Sequence, residues 1–193
     1  MSIYLARNGK MLTRLNGTRN FGAIVSPVTP TPPFDEVTIG SQTWMSKNLS
    51  IDDGQGGIYT QTVNYGQGDV VEYYYTWDAA VRVAATVDGW HLPSDSEWGT
   101  LEYVVGAMSA GTKLKSTYGW SSGNGDGSYG FAAFPAGFWS SGSFFNLRFY
   151  AYFWTANEYS SYDAYWRYFD TGASMDSRYD DKTVGYSVRL IKD

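Results

Sequence analysis

The chain has 193 residues, room for one domain with a short appendage, and 43% are hydrophobic, enough to bury a core. A formal net charge of −5 argues against nucleic acid as a partner, because phosphate binding needs a basic surface. Zero cysteine excludes disulfides and thiolate metal sites, and no apolar run approaches the ~20 residues of a membrane span, so membrane insertion is not expected.

In chain order, residues 1–25 form an N-terminal arm whose only charges are Arg7, Lys10, Arg14 and Arg19. The arm has no apolar stretch of the kind a Sec signal carries. "SPVTPTPPFDE", residues 26–36, holds four of the six prolines and is expected to be an extended, semi-rigid linker. A globular domain is expected over residues 37–193. Its first stretch, "VTIGSQTW" (37–44), predicts a strand pair, and "DDGQGGIYTQTVNYGQGD" (52–69) predicts a long loop.

Two helices are expected next. "TWDAAVRVAATV" (76–87) has Thr76 as N-cap and places Trp77, Val81 and Ala84 on one stripe. "SDSEWGTLEYVVG" (94–106) opens with a Ser94–Glu97 capping box, buries Trp98, Leu101 and Val105, and stops at Gly106. Short strands are expected at "TKLKS", "YGFAAF", "AYFWT", "YWRYF" and "VGYSVRLI". In the last of these, Val184, Tyr186, Val188 and Leu190 face inward and Gly185, Ser187, Arg189 and Ile191 outward. Two helices followed by a strand- and loop-rich antiparallel half make an α+β domain.

Catalytic patterns are weak. His91 is the one histidine and is expected to hydrogen-bond its own turn, since a triad needs groups that converge from separate segments. "GWSSG" (119–123) matches a nucleophile elbow, but the following "NGDGSYG" cannot start a helix. "NGDGS" (124–128) lacks the rest of a calcium loop and is expected as a plain turn. Asp163, Asp170, Asp176, Asp180 and Asp181 offer carboxylates without a spacing that requires paired acid chemistry. No catalytic residue, metal site or cofactor is expected.

The last third has an unusual composition. "YAYFWTANEYSSYDAYWRYF", residues 150–169, holds six Tyr, two Trp and two Phe, and no Leu, Ile or Val occurs from Arg148 to Thr183. A core built by packing alone would use aliphatic residues. Tyr and Trp with Ser, Asn and Gly is instead the mixture of antibody loops, where rigid aromatic area meets adaptable hydrogen bonding.

Seven blocks in order, "VTIGSQTWMSKNL", "YYTWDAA", "GWHLPSDSEWGTL", "AGTKLKSTYGW", "YGFAAFPAGF", "AYFWTANE" and "VGYSVRLIKD", resemble the Fibrobacter succinogenes major paralogous domain family. The resemblance implies a C-type-lectin-like fold over about Val37 to Asp193. Family members often carry one Cys before the Gly-Trp-His-Leu-Pro block and another in the last strand; here "ATVDGWHLP" and "SVRLIKD" have neither. The Glu-Pro-Asn or Gln-Pro-Asp calcium triplets of sugar-binding lectins are also missing, and "WTAN" (154–157) stands in that place. A subset of such domains is similar to the variable proteins of diversity-generating retroelements, whose adenine-directed mutagenesis turns Asn codons into Tyr, Ser, Asp, Phe, Arg and Gly.

The expected ligand-binding face comprises Trp139, Phe145, Asn146, Arg148, Phe149, Tyr150, Tyr159, Ser161, Tyr162, Asp163, Trp166, Ser177, Arg178, Tyr179 and Asp180, with Trp139, Tyr150, Tyr162 and Trp166 as anchors. Ala151, Phe153, Trp154, Ala164, Tyr165 and Phe169 are expected to face the core. The expected function is non-enzymatic binding of a protein or glycan on a bacterial surface, as a phage tail or fibre component or a surface adhesin, with the arm docking to a carrier protein. The competing readings are an enzyme similar to the formylglycine-generating class, whose chemistry depends on cysteine, and a fibre or capsid component that only forms homo-oligomers.

Overall fold

The computed structural model describes residues 34–193. The arm and residues 26–33 of the linker lie outside the described residues. The last linker residues belong to the fold: Phe34 packs edge-on against Trp90 at 6.1 Å, and β1 (Glu36–Ile39) begins at Glu36. β1 pairs antiparallel with β2 (Gln42–Met45).

Contrary to a helices-first order, four strands precede the first helix among the described residues. Within the stretch 52–69 expected as a loop, residues 58–64 form β3 (Ile58–Asn64), which makes a hairpin with β4 (Asp69–Tyr75). Its glycines only flank β3, whose own Ile58, Thr60, Thr62 and Val63 suit a pleated strand. Helix α1 (Trp77–Ala84) starts at the Thr76 cap; it buries Trp77, Ala79, Ala80, Val83 and Ala84, while Val81 is exposed. The two-residue β5 (Trp90–His91) leads to α2 (Asp95–Val105), where both hydrogen bonds of the Ser94–Glu97 box form and Trp98, Leu101 and Val105 are buried. "TKLKS" mostly joins a short α3 (Ala110–Leu114) rather than a strand. "YGFAAF" makes one isolated bridge, Lys115 to Ala133, because no neighbouring strand lies alongside it.

The remaining strands are β6 (Phe138–Ser140), β7 (Ser143–Phe145), β8 (Ala151–Glu158), β9 (Asp163–Phe169), β10 (Asp176–Asp181) and β11 (Ile191–Lys192). β6 and β7 are joined by Ser141 and Gly142, both at positive φ (49° and 85°), the two-residue turn that suits strand twist. The sheets are β1-β2-β11-β5, β10-β9-β8, β3-β4 and β6-β7. The described residues make an α+β fold, with three short α-helices and small antiparallel sheets.

The segment 184–191 ties these sheets together. Tyr186 exchanges backbone hydrogen bonds with Tyr75 (2.8 and 3.0 Å), Ser187 bonds to Tyr152 and Trp154, and Val188 and Leu190 accept from Leu49 and Met45. Surrounded on both sides, all eight residues are buried, so the expected one-sided alternation is wrong here. Gly185 lets the segments cross closely: a Cβ would lie 3.1 Å from the Cβ atoms of both Trp139 and Tyr74.

Arg189, expected to face outward, is 1% exposed. Its guanidinium donates to Asn48 Oδ1 (2.8 Å), to the carbonyls of Met45 (3.0 Å) and Phe131 (2.5 Å), and to that of Ala132 (3.0 Å). It also lies 4.6 Å from the Phe131 ring centroid. Asn48 relays to the buried Glu72 (3.0 Å), whose other oxygen accepts from Tyr65 (3.1 Å). Burial lowers the Arg189 pKa and raises that of Glu72, but this donor and acceptor set keeps each group paired. Ala132 sits at φ +50°, and its carbonyl is one of those Arg189 fixes.

Arg189→Met would leave three carbonyls and Asn48 Oδ1 without their donor. It is expected to destabilise the fold by about 3–5 kcal/mol in urea unfolding. A loss below about 1 kcal/mol would show that the network does not hold these segments together.

Candidate binding surface

The pleat of the three-stranded sheet sorts its side chains. Tyr152 and Trp154 of β8, Trp166 and Tyr168 of β9, and Arg178 and Asp180 of β10 share one face. Phe153 of β8, Tyr165, Arg167 and Phe169 of β9, and Ser177 and Tyr179 of β10 share the other, which packs toward α2. Burial falls across the sheet: β8 is buried from Ala151 to Thr155, whereas β10 is the exposed edge.

On the first face the rings form a continuous cluster. Tyr150 stacks on Tyr152 at 5.5 Å, Tyr152 meets Trp166 edge-on at 5.2 Å, and Trp166 lies 5.0 Å from Tyr168. Phe138 joins through Tyr152 (5.4 Å) and carries Phe145 stacked on it at 5.3 Å. The polar rim is fixed too. Asn146 donates to the Tyr152 hydroxyl (2.8 Å), and the Tyr186 hydroxyl donates to Asp180 (2.6 Å). Arg178 sits opposite Trp166 in the β9–β10 ladder, on the same face as Tyr168. Burial pushes the Tyr152 phenol up to about 12 and that of Tyr186 higher, so both remain neutral hydroxyls at physiological pH.

The expected residues do not form one patch. Phe145, Asn146, Tyr150, Arg178 and Asp180 gather at or beside the first face, with Tyr150 half-buried; Phe149, whose N–H donates to the Asn146 carbonyl, is exposed. Asn146 and Arg148 both adopt positive φ (58° and 69°), and Arg148 reaches to the Asn64 carbonyl. Ser177, Tyr179 and Tyr159 lie on the opposite side, where Tyr159 stacks on Tyr179 at 3.7 Å and Ser177 contacts Asp95. Ser161 and Tyr162 occupy the β8–β9 turn and Asp163 is the first residue of β9, with Tyr162 78% exposed. Trp139 points elsewhere, stacked on Tyr59 at 3.4 Å and half-buried.

Trp166 is a correction. It is only 7% exposed, sealed among Tyr152, Tyr168 and Tyr186, and so acts as the floor of the cluster rather than an exposed anchor. The core expectation holds for Ala151, Phe153, Trp154, Ala164 and Phe169, while Tyr165 is half-buried. The half-exposed Tyr168 belongs to the face and was missed. Its position two residues after Trp166 was the available signal, because alternate residues share a face.

His91 lines an apolar groove of about 280 Å³ with Trp77, Val81, Ala84, Trp90 and Leu92. Both ring nitrogens are engaged: Nε2 with Glu97 (2.8 Å) and Nδ1 with Asp193 (2.7 Å). Partial burial alone would lower the His91 pKa, but these hydrogen bonds and charges outweigh it and raise it. A ring clamped between two carboxylates has no free lone pair to act as a base, so it links β5 to α2. Asp163, Asp170, Asp176, Asp180 and Asp181 each accept a local hydrogen bond. Among the described residues, no three His, Asp or Glu side chains group as a metal site.

Because the folded pKa of His91 exceeds its unfolded value near 6.5, the clamp's contribution is complete below that pH and is lost as pH rises through the folded pKa. The stability difference between the wild type and His91→Gln is expected to shrink across that window in pH-resolved urea unfolding. A difference that stays constant, or grows with pH, would contradict the clamp.

No curated protein and no solved structure matches the chain at a significant level. A family model does match, over residues 37–192, which covers every strand from β2 to β11 and all three helices. On that match the chain belongs to the Fibrobacter succinogenes major domain family.

Proposed function

We propose that this is a non-enzymatic ligand-binding protein of C-type-lectin-like architecture. Its binding face is the aromatic surface made by Tyr150, Tyr168 and Arg178, with Phe145, Asn146 and Phe149 at its margin. The observation that carries the reading is the layering of that surface. Inner rings, Tyr152 and Trp166, are buried and locked, while the outer ones reach solvent beside an amide, a guanidinium and a carboxylate. Such a face loses little side-chain entropy on binding and offers both apolar area and directional hydrogen bonds.

A stretch of 36 residues without Leu, Ile or Val, from Arg148 to Thr183, runs through β8–β10 and their turns. Diversification of a retroelement's variable protein accounts for that composition where packing does not. The target on this reading is a protein or glycan on a bacterial surface, reached from a phage tail, a fibre or a cell surface.

Fluorescently labelled full-length protein, titrated against a panel of intact bacterial strains, provides the test. Tyr150→Ala and Tyr168→Ala are expected to weaken cell binding at least about tenfold with unfolding midpoints nearly unchanged. Retained binding in both variants would overturn the assignment. Sequencing the locus in sister isolates is expected to find differences confined to about residues 138–181, and differences spread evenly along the chain would remove the diversification account.

A further inference from the structure

We infer that the free edge of β10 pairs antiparallel with β10 of a second copy of this chain, Tyr179 facing Tyr179 across a two-fold axis. The opposite edge of the sheet is occupied, since Ser187 donates to Tyr152 and accepts from Trp154. β10 is the last strand on its side and is exposed along nearly its whole length. Among the described residues, no backbone hydrogen bond from outside the sheet reaches Ser177 or Tyr179.

The hydrogen-bonding phase of β10 follows from its neighbours. The Lys182 N–H donates to the Tyr162 carbonyl, which continues the β9–β10 register and makes the even-numbered residues of β10 the ones bonded to β9. The N–H and C=O groups of Ser177, Tyr179 and Asp181 therefore point outward. An added antiparallel strand must bring odd residues opposite odd ones, which leaves few registers.

Charge selects among them. Centring on Tyr179 sets Arg178 against Asp180 of the partner copy, twice by symmetry, while Lys182, opposite Asp176, keeps its ion pair with Glu158 of its own chain at 3.1 Å. A shift one way centres Arg178 on itself and sets Asp176 against Asp180. The opposite shift centres Asp180 on itself and sets Arg178 against Lys182. Both place like charges directly opposite, which is destabilising. Ser177 would pair with Asp181, whose N–H now bonds to the Asp180 carboxylate and would exchange that partner, and whose carbonyl, which already accepts from the Val184 N–H, would take a second donor. Charges on an edge strand commonly block such pairing, but here their order is self-complementary. A two-fold perpendicular to the sheet would place both aromatic faces side by side on one surface, doubling the valency of whatever they bind. The dimer does not depend on that binding reading.

The test is sedimentation equilibrium of the full-length chain at low salt, from low to high micromolar. Reversible dimerisation is expected. Ser177→Pro removes an outward N–H without touching the β9 ladder and is expected to abolish it. Arg178→Asp and Asp180→Arg, each alone, are expected to weaken self-association at least about tenfold. An equimolar mixture of the two is expected to form heterodimers, and the double variant R178D/D180R to recover homodimers. A wild type that stays monomeric throughout overturns the inference. So does a dimer that persists in both Ser177→Pro and Arg178→Asp, or a charge swap that rescues nothing.

Discussion

A buried guanidinium organises this fold. Arg189 reaches four acceptors on two segments remote from it in sequence, residues 45–48 and 131–132, and so joins both to its own strand. In a chain without cysteine, that convergence does part of what a disulfide would do: it fixes where segments lie relative to one another. A buried ion seldom adds net stability over an apolar replacement of the same shape, but removing one partner strands the others, and that asymmetry makes the network specific. The surrounding thread, 184–191, passes between β4 and β8 and carries the register of both.

From that thread outward, burial decreases in one direction. β8 lies against the thread, β9 follows, and β10 is the edge. The same aromatic composition therefore has two roles. Near the thread, Trp154 and Phe153 are core; one strand further, Trp166 floors a cluster; at the margin, Tyr168 and Tyr150 reach water. Rigid rings beneath exposed rings are what a preorganised binding face requires.

The helices were legible because capping is local: Thr76 and the Ser94–Glu97 pair mark their own starts. Sheet structure was less so. The β3–β4 hairpin was masked by flanking glycines, and "YGFAAF" has strand-like residues but no neighbour to pair with. Arg189 alternates correctly for an outward position, yet its strand is enclosed on both sides, a fact set by tertiary neighbours alone. The binding surface was legible as composition and not as geometry. Nothing local distinguishes Trp166 from Tyr168, and nothing in the spacing of Ser177 to Asp180 says which β10 residues face which side until the β9 register is known.

Hydroxyl-radical footprinting of the native protein, resolved residue by residue, tests the central claim that an ordered shell presents outward-facing aromatics. The account predicts rapid modification of Phe149, Tyr162 and Tyr179, intermediate modification of Tyr150 and Tyr168, and near-complete protection of Trp154, Phe153 and Trp166. Equal protection of Tyr162, Tyr150 and Trp154 would contradict it.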